Sequence, residues 1–513
     1  MRKYTDLEYL KLNKWQRAGH KILSFFAGIP QGIWNFIKKI GLGLGKAGKA
    51  IGAEFKDIVD TFVHGDWKTK LSFPIMGFGS IARGQVLRGI LFLLFEIIFI
   101  GYMVLTGGYW LSMLPSLGKQ GPEKGYDPIY DQPITIFHDD SFKILLYGVL
   151  TIFFIIAFIY TWRVNVRQNK ISEEILKSGK KLKSGKDDLR SMVDDNFHKT
   201  LLALPMTGIV IFTVLPMVFM VLVAFTNYSA AYNGYSNNLF HWVGLDKFNQ
   251  LLSWKSVQGG QSYAATFGEI LVWTLIWAFL ATFTNYFLGI LVAMMINKKG
   301  IQFKKVWRTI LVLTIAIPQF ISLMYVSKLF AENGYFNLKL FNDMHLFTKA
   351  LPFWQDKTWA RVMVVLINIW IGIPYLMLMA TGILMNIPQD LYESAKIDGA
   401  SAWQQYRKIT LPYMLFVTGP YLLTSFIGNM NNFNVIYLLT GGAPVNPAAS
   451  SAAGSVGYTD LLITWLFKIT QGGEKADYAL ASVIGILVFL VVSLISLVVY
   501  GLMPSVKNEE DFQ

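Results

Sequence analysis

An all-α integral membrane protein with eight transmembrane helices is the fold class predicted by three observations. Of 513 residues, 53% are hydrophobic and only 15% are charged, a balance rare in soluble domains. Apolar runs of bilayer-crossing length recur. A helix needs about 20 such residues, because every backbone N–H and C=O must be bonded internally in hydrocarbon. Lys and Arg, finally, gather on alternate connections between those runs, as the positive-inside rule requires.

In chain order, residues 1–84 read as a basic cytoplasmic or interfacial region. Residues 20–60 mix Trp, Phe and Ile with Lys and Gly, which suits a segment lying along lipid headgroups, with a basic tail as the alternative. Gly43, Gly48 and Lys49 fit a nucleotide loop. However, Ala50 replaces the magnesium-binding Ser or Thr and no apolar strand precedes it, so the match is a coincidence. The first thirty residues do not read as a cleavable signal.

Spans are expected near 85–106, 143–162, 201–226, 266–297, 306–330, 359–386, 413–434 and 478–503. The 163–200 connection is rich in Lys and Arg, and Lys298, Lys299, Lys304 and Lys305 follow the fourth span. The 107–142, 227–265 and 435–477 connections are basic-poor. Alternation then places both termini and loops 163–200, 298–305 and 387–412 in the cytoplasm. The organisation is thus 1–84, two further helices with their linker over 85–200, a helical core over 201–505, and a cytoplasmic tail over 506–513. The 171–195 stretch reads as a solvated linker or short helix.

The formal charge of +14 could suit nucleic acid, but its clustering at span ends fits lipid headgroups and topology. The absence of cysteine excludes disulfides and thiol chemistry. The six His lack metal-ligand spacing. Asp139–Asp140 reads as a solvent-exposed pair rather than an active site. Glu96, inside the first span, is expected to be paired or to snorkel.

Two spans carry polar positions that repeat one offset. Asn368, Ile371, Gly372 and Tyr375 stand at 0, +3, +4 and +7, and Ser425, Gly428, Asn429 and Asn432 repeat the series. Each set lies on one helix face. Facing stripes of amides, a hydroxyl and small residues can line a hydrated cavity, where Asn matches a sugar hydroxyl as donor and acceptor and Tyr375 offers a flat face. The same pattern also serves helix–helix contact. Asn431 and Asn434 fall off the stripe.

Between these spans lies IPQDLYESAKIDGASAWQQYRKITLP. Pro388 and Asp390 suit a helix start, Gly399 a left-handed stop, Ser401 a second cap, and Pro412 the start of the next span. A helix–turn–helix is predicted.

Glu393, Ser394, Ala395, Gly399, Ile409, Leu411 and Pro412 resemble the EAA-x3-G-x9-I-x-L-P signature of ATP-binding-cassette (ABC) importer permeases, with Ser394 at the middle alanine. NIWIGIPY (368–375), SFIGNMNNFNVIYLLTGGAP (425–444) and GYTDLLITWLFKIT (457–470) are similar to the larger membrane subunit of maltose/maltodextrin importers. The resemblance covers roughly residues 200–503. It implies a six-helix permease core plus two N-terminal helices in the bacterial cell membrane. It also implies that Glu393, Ser394, Ala395 and Gly399 form the turn that docks into an ATPase subunit, and that the two stripes line a maltodextrin-type site. The implied partners are a second homologous permease subunit, two ATPase subunits using ATP and Mg, an extracellular sugar-binding protein that meets loop 441–457, and membrane lipids. The chain itself binds no cofactor or metal in this reading and is not an enzyme. Ile369 and Gly428 depart from the pattern, Gly428 standing where an aromatic occurs. The 227–265 connection is too short for the folded insertion of enterobacterial members. Another di- or oligosaccharide, such as galacto-oligosaccharides, is the alternative substrate, and a secondary sugar transporter, which would need coupling carboxylates at the midplane, is the alternative class.

Overall fold

The computed structural model describes residue 38 and residues 41–502, apart from 44, 47, 183, 233–236, 257–259, 299 and 450–453. Residues 20–37, part of the 441–457 loop and the tail therefore lie outside the described residues. Among the described residues, seven helices are long and apolar enough to cross a membrane, or eight if one bent pair counts as a single span. The chain divides into two compact units.

The first unit comprises Met1–Met113 and Leu146–Leu215. Residues 48–64 form helix α1, so Gly48, Lys49 and Ala50 are helical and make no phosphate loop. Helices α2 (Val86–Met113) and α3 (Ser141–Lys177) meet through rings. Phe99 stacks on Phe158 at 3.9 Å, and the Tyr102 hydroxyl lies 2.8 Å from Thr151 Oγ1. Between α1 and α2, residues 67–84 fold back on α3. Gly77 N–H donates to Asn165 Oδ1, while the Arg83 guanidinium is buried against Asp66, Thr69 and Asn169. Glu96 is paired as expected, accepting from Met76 N–H at 2.8 Å. The 171–195 stretch extends α3 to Lys177 and then forms the capped helix Gly185–Val193.

A charged clamp ties α1 to α3. Arg163 Nε donates to Glu54 at 2.7 Å, and Lys170 reaches Asp57 at 2.6 Å. Hydrogen bonds from Lys170 and then Arg163 hold the Asp57 carboxyl below its ordinary pKa of 3.8. A depressed folded-state pKa contributes stability that is complete above the unfolded pKa and is lost as pH falls through the lowered one. Asp57→Asn should therefore reduce thermal stability at neutral pH by about 1 kcal/mol or less, because the pair is part-exposed. That difference from wild type should begin to shrink in melts below pH 3.8, vanish only below the lowered folded-state pKa, and be smaller in high salt.

The second unit comprises Leu114–Leu145 and Pro216–Gln513. Its first segment holds the short antiparallel hairpin β1 (Glu123–Asp127) and β2 (Gln132–Ile136), which the all-α expectation did not contain. Asp139, expected in solvent, is buried and accepts from the N–H groups of Lys119 and Gln120. Its carboxylate organises the hairpin's base.

Helix α4 is Phe197–Val223. The long helix α5 (Tyr263–Asn297), capped by Ser262, is the spine of the second unit. Three apolar clusters succeed one another along it, around Ile270, around Trp273, Trp277 and Ala281, and around Tyr286, Ile290 and Ala293. The expected 306–330 span is instead two helices, α6 (Lys304–Ala316) and α7 (Gln319–Leu329), bent by 93°. Pro318 forces the preceding Ile317 into the extended region and cannot donate a helical hydrogen bond, so α6 stops there.

Helix α8 (Lys357–Leu384) packs along α5. After it come α9 (Gln389–Ile397), α10 (Ala402–Gln405), α11 (Leu411–Met430) and α12 (Phe433–Thr440). The expected 413–434 span is thus interrupted at Asn431–Asn432, where the Asn432 side chain accepts from Val435 N–H and caps α12. Helices α13 (Leu462–Thr470) and α14 (Tyr478–Leu502) complete the bundle. Before α13 the buried Asp460 carboxylate accepts from Gly457 N–H, Thr464 and Lys468, organising the 441–461 loop.

Candidate functional site

The loop between α8 and α11 folds as its residues predict. Asp390 sits in the first turn of α9 and Lys396 in the last, both favourable to the helix dipole. Gly399 takes φ +75°. Its N–H donates to the carbonyl of Lys396, and that of Ala400 donates to Ala395. This pair of bonds closes a helix C-terminus through a left-handed glycine. Ser401 and Gln404 form a reciprocal cap for α10. The Tyr392 hydroxyl lies 2.9 Å from Thr410 Oγ1 and pins α9 to the start of α11. Glu393 is exposed and accepts from Gln389 at 2.7 Å, Ser394 is exposed, and Ala395 is half-buried. Leu391, Ile397 and Trp403 are exposed around the turn, Ile397 to 86%. A rigid turn bearing small residues and uncovered apolar side chains is suited to meet another protein.

The two stripes do not behave as one surface. Asn368 is buried, and Ile371 packs against the Trp273–Trp277 cluster. Gly372 leaves room, as expected, but Asn285 of α5 fills it: a Cβ at 372 would lie 2.1 Å from the Asn285 amide nitrogen. This part of the stripe is helix–helix contact. One turn on, Tyr375 is 54% exposed, with its ring 6.3 Å from Tyr421 of α11. Ser425 follows Tyr421 by one turn of α11, and Gly428 faces open space. Asn429 donates to Thr282 of α5 at 3.0 Å and accepts from Asn432 at 3.3 Å. Its carbonyl accepts from Trp277 Nε1. Asn431 is exposed and bonds back to Ile427, off the stripe as expected.

The geometry therefore brings Tyr375, Ser425 and Gly428 to an open face and sets Asn429 and Asn432 in a polar chain behind it. Tyr421, Thr282 and Asn285 belong to the same place and were not singled out from the sequence. Their signal was present: Thr274, Ala278, Ala281, Thr282, Asn285 and Gly289 form a small and polar stripe at helical spacing on α5. Among the described residues, Asn285 Oδ1 and Asn368 Nδ2 are buried without a hydrogen-bond partner. Buried amide atoms of this kind are normally satisfied.

The family profile described as "Binding-protein-dependent transport system inner membrane component" matches residues 285–506, a span that includes the turn at Gly399 and both stripes. The chain is 30% identical over 456 residues to the maltodextrin transport system permease protein MalC of Streptococcus pneumoniae, covering 86% of this chain and 97% of that protein. It is 32% identical over 444 residues to the galactooligosaccharides transport system permease protein GanP of Bacillus subtilis, covering 85% and 97%. The maltose/maltodextrin transport system permease protein MalF of Escherichia coli is 36% identical over 238 residues, covering 45% of this chain and 44% of that protein. Near full-length kinship, together with the match over the core helices, makes this chain a multi-pass membrane permease belonging to the family of binding-protein-dependent transport system inner membrane components.

Proposed function

We propose that the chain is a permease subunit of an ATP-driven importer that passes maltodextrin-type oligosaccharides across the bacterial cell membrane. It works with a second homologous permease subunit, two ATPase subunits that use ATP and Mg, and an extracellular sugar-binding protein. Both termini and the 387–412 loop face the cytoplasm, by the distribution of Lys and Arg. The chain supplies the path and the mechanical link, and nucleotide hydrolysis belongs to its partners.

The observation that carries this reading is the open face of Tyr375, Tyr421, Ser425 and Gly428 backed by Asn429 and Asn432. Flat rings beside hydroxyl and amide groups match the alternating apolar faces and hydroxyls of a sugar. The unpartnered amide atoms of Asn285 and Asn368 are further groups that a hydroxyl or water satisfies. Glu393, Ser394, Ala395 and Gly399 serve as the docking turn for the ATPase. A galacto-oligosaccharide is the second reading, favoured by the 32% identity to such a permease.

The test is uptake into proteoliposomes holding the complete transporter, with labelled maltotriose and galactotriose offered separately. Uptake of maltotriose should require ATP, and Tyr375→Ala should raise its KM about fivefold to tenfold through loss of one ring contact. Preference for galactotriose would move the assignment to the second reading. Uptake that persists without the ATPase subunits would discard the mechanism.

A further inference from the structure

A second polar and aromatic cleft lies in the same unit. It holds about 600 Å³ and is walled by Tyr263, Tyr437, Phe467, Lys468, Gln471 and Asp477, a volume within the ordinary range of small-molecule sites. Its residues come from the start of α5, the second half of α12, the end of α13 and the turn before α14. These elements meet at the end of the bundle opposite the Gly399 turn, since α5 and α8 both run from here toward that turn.

A ladder of rings joins this cleft to the open face described above. Asn432 caps α12, and the next residue, Phe433, stacks on Tyr437 one turn later, with centroids 4.7 Å apart and planes 20° apart. Phe467 meets both edge-on, at 4.9 and 5.3 Å. The polar chain Asn429–Asn432 therefore runs directly into an aromatic wall whose outer members, Tyr437 and Phe467, line the cleft.

The charges in the cleft identify the chemistry of its ligand. Lys468 is paired with Asp460 at 2.6 Å, and Asp477 with Lys247 at 2.6 Å. Both groups keep hydrogen-bonding capacity but are already neutralised. The exposed Lys475 is the other lining cation, too little for a polyanion. Two tyrosines, a phenylalanine and an amide among cancelled charges suit a neutral, hydroxyl-rich ring.

We propose that this cleft is a second carbohydrate subsite, which receives the oligosaccharide first and hands it along the Phe433–Tyr437–Phe467 wall to the Tyr375–Ser425 face. The assignment rests on the oligosaccharide reading above. Tyr437 and Phe467 supply ring faces and edges for sugar C–H groups, and Gln471, Lys468 and Asp477 bond hydroxyls.

The test is equilibrium binding of maltoheptaose to the full chain in lipid nanodiscs, with no binding protein present. Tyr437→Ala and Gln471→Ala should each weaken binding about fivefold, whereas Tyr437→Phe should match wild type. In a Tyr375→Ala background, residual binding should persist and be removed by adding Tyr437→Ala. Gln471 is solvent-exposed, so its variant reports on the cleft even if Tyr437→Ala misfolds. Wild-type protein that binds maltoheptaose with the same affinity as the Tyr437 and Gln471 variants, or binding wholly lost in Tyr375→Ala, overturns the second subsite and leaves the transport reading standing. No binding of maltoheptaose to wild type also overturns the second subsite, while the transport reading is still decided by the uptake assay.

Discussion

Gly399→Val is expected to cut ATP-driven uptake more than about tenfold, while Gly399→Asn retains most of it. Gly399 sits at φ +75°, and a Cβ there would meet open space. The penalty for a side chain is therefore backbone strain alone, with no steric clash. Val in the left-handed region costs about 1–3 kcal/mol, whereas Asn visits it with little strain. A 2 kcal/mol penalty lowers the population of the closed turn roughly thirtyfold. The turn is exposed and makes few contacts beyond itself, so the melting temperature of the Val variant should stay near that of wild type. Uptake lost together with stability would indicate a folding defect. Uptake preserved in Gly399→Val would remove the turn from the mechanism.

Gly372→Leu should be nearly as damaging, for the opposite reason. Here the side chain meets matter: a Cβ would stand 2.1 Å from Asn285 Nδ2 and 2.6 Å from its Cγ. Overpacking a well-filled contact costs about 1–3 kcal/mol, and this contact joins the spine α5 to α8 beside the Tyr375 face. Both the melting temperature and uptake should fall. Asn285→Ala in the same chain should restore much of the stability, because it vacates the volume. Asn285→Ala alone should cost less than Gly372→Leu, since it leaves a small cavity beside Gly372 but takes no hydrogen-bond partner from Oδ1. A Gly372→Leu protein as stable as wild type, or one that Asn285→Ala fails to rescue, would show that this contact is not what constrains position 372.

How much was legible in the sequence depended on how local the signal was. Pro388, Gly399 and Ser401 each act within a few residues, and the turn they form matches the reading; Pro412 does not start a new helix, because α10 runs on through a π turn at Tyr406–Thr410 into α11. The offsets of the two stripes were legible as well, because helical periodicity is a property of one segment. What fills the space beside a stripe is tertiary, and no spacing along α8 reveals that Asn285 of α5 occupies the notch at Gly372. The bend at Ile317–Pro318 and the interruption at Asn431–Asn432 were also missed. In both places a hydropathy window averages across residues whose backbone chemistry stops a helix. The hairpin around Asp127–Gln132 escaped for a related reason, since Pro133 and Gly125 depress its strand character while a buried carboxylate at Asp139 anchors its base.

Helix α11 continues the π turn that ends at Thr410, where Tyr392 fastens the Gly399 turn, and its 20 residues end beside Asn429. At 1.5 Å per residue that is a rod about 30 Å long. Tilting its near end by about 10° sweeps the far end through roughly 5 Å by simple leverage, about the width of a sugar ring. On the function proposed above, push and cargo would sit at the two tips of a single lever, and a modest rocking motion would be enough to reshape the cradle without any helix having to unwind.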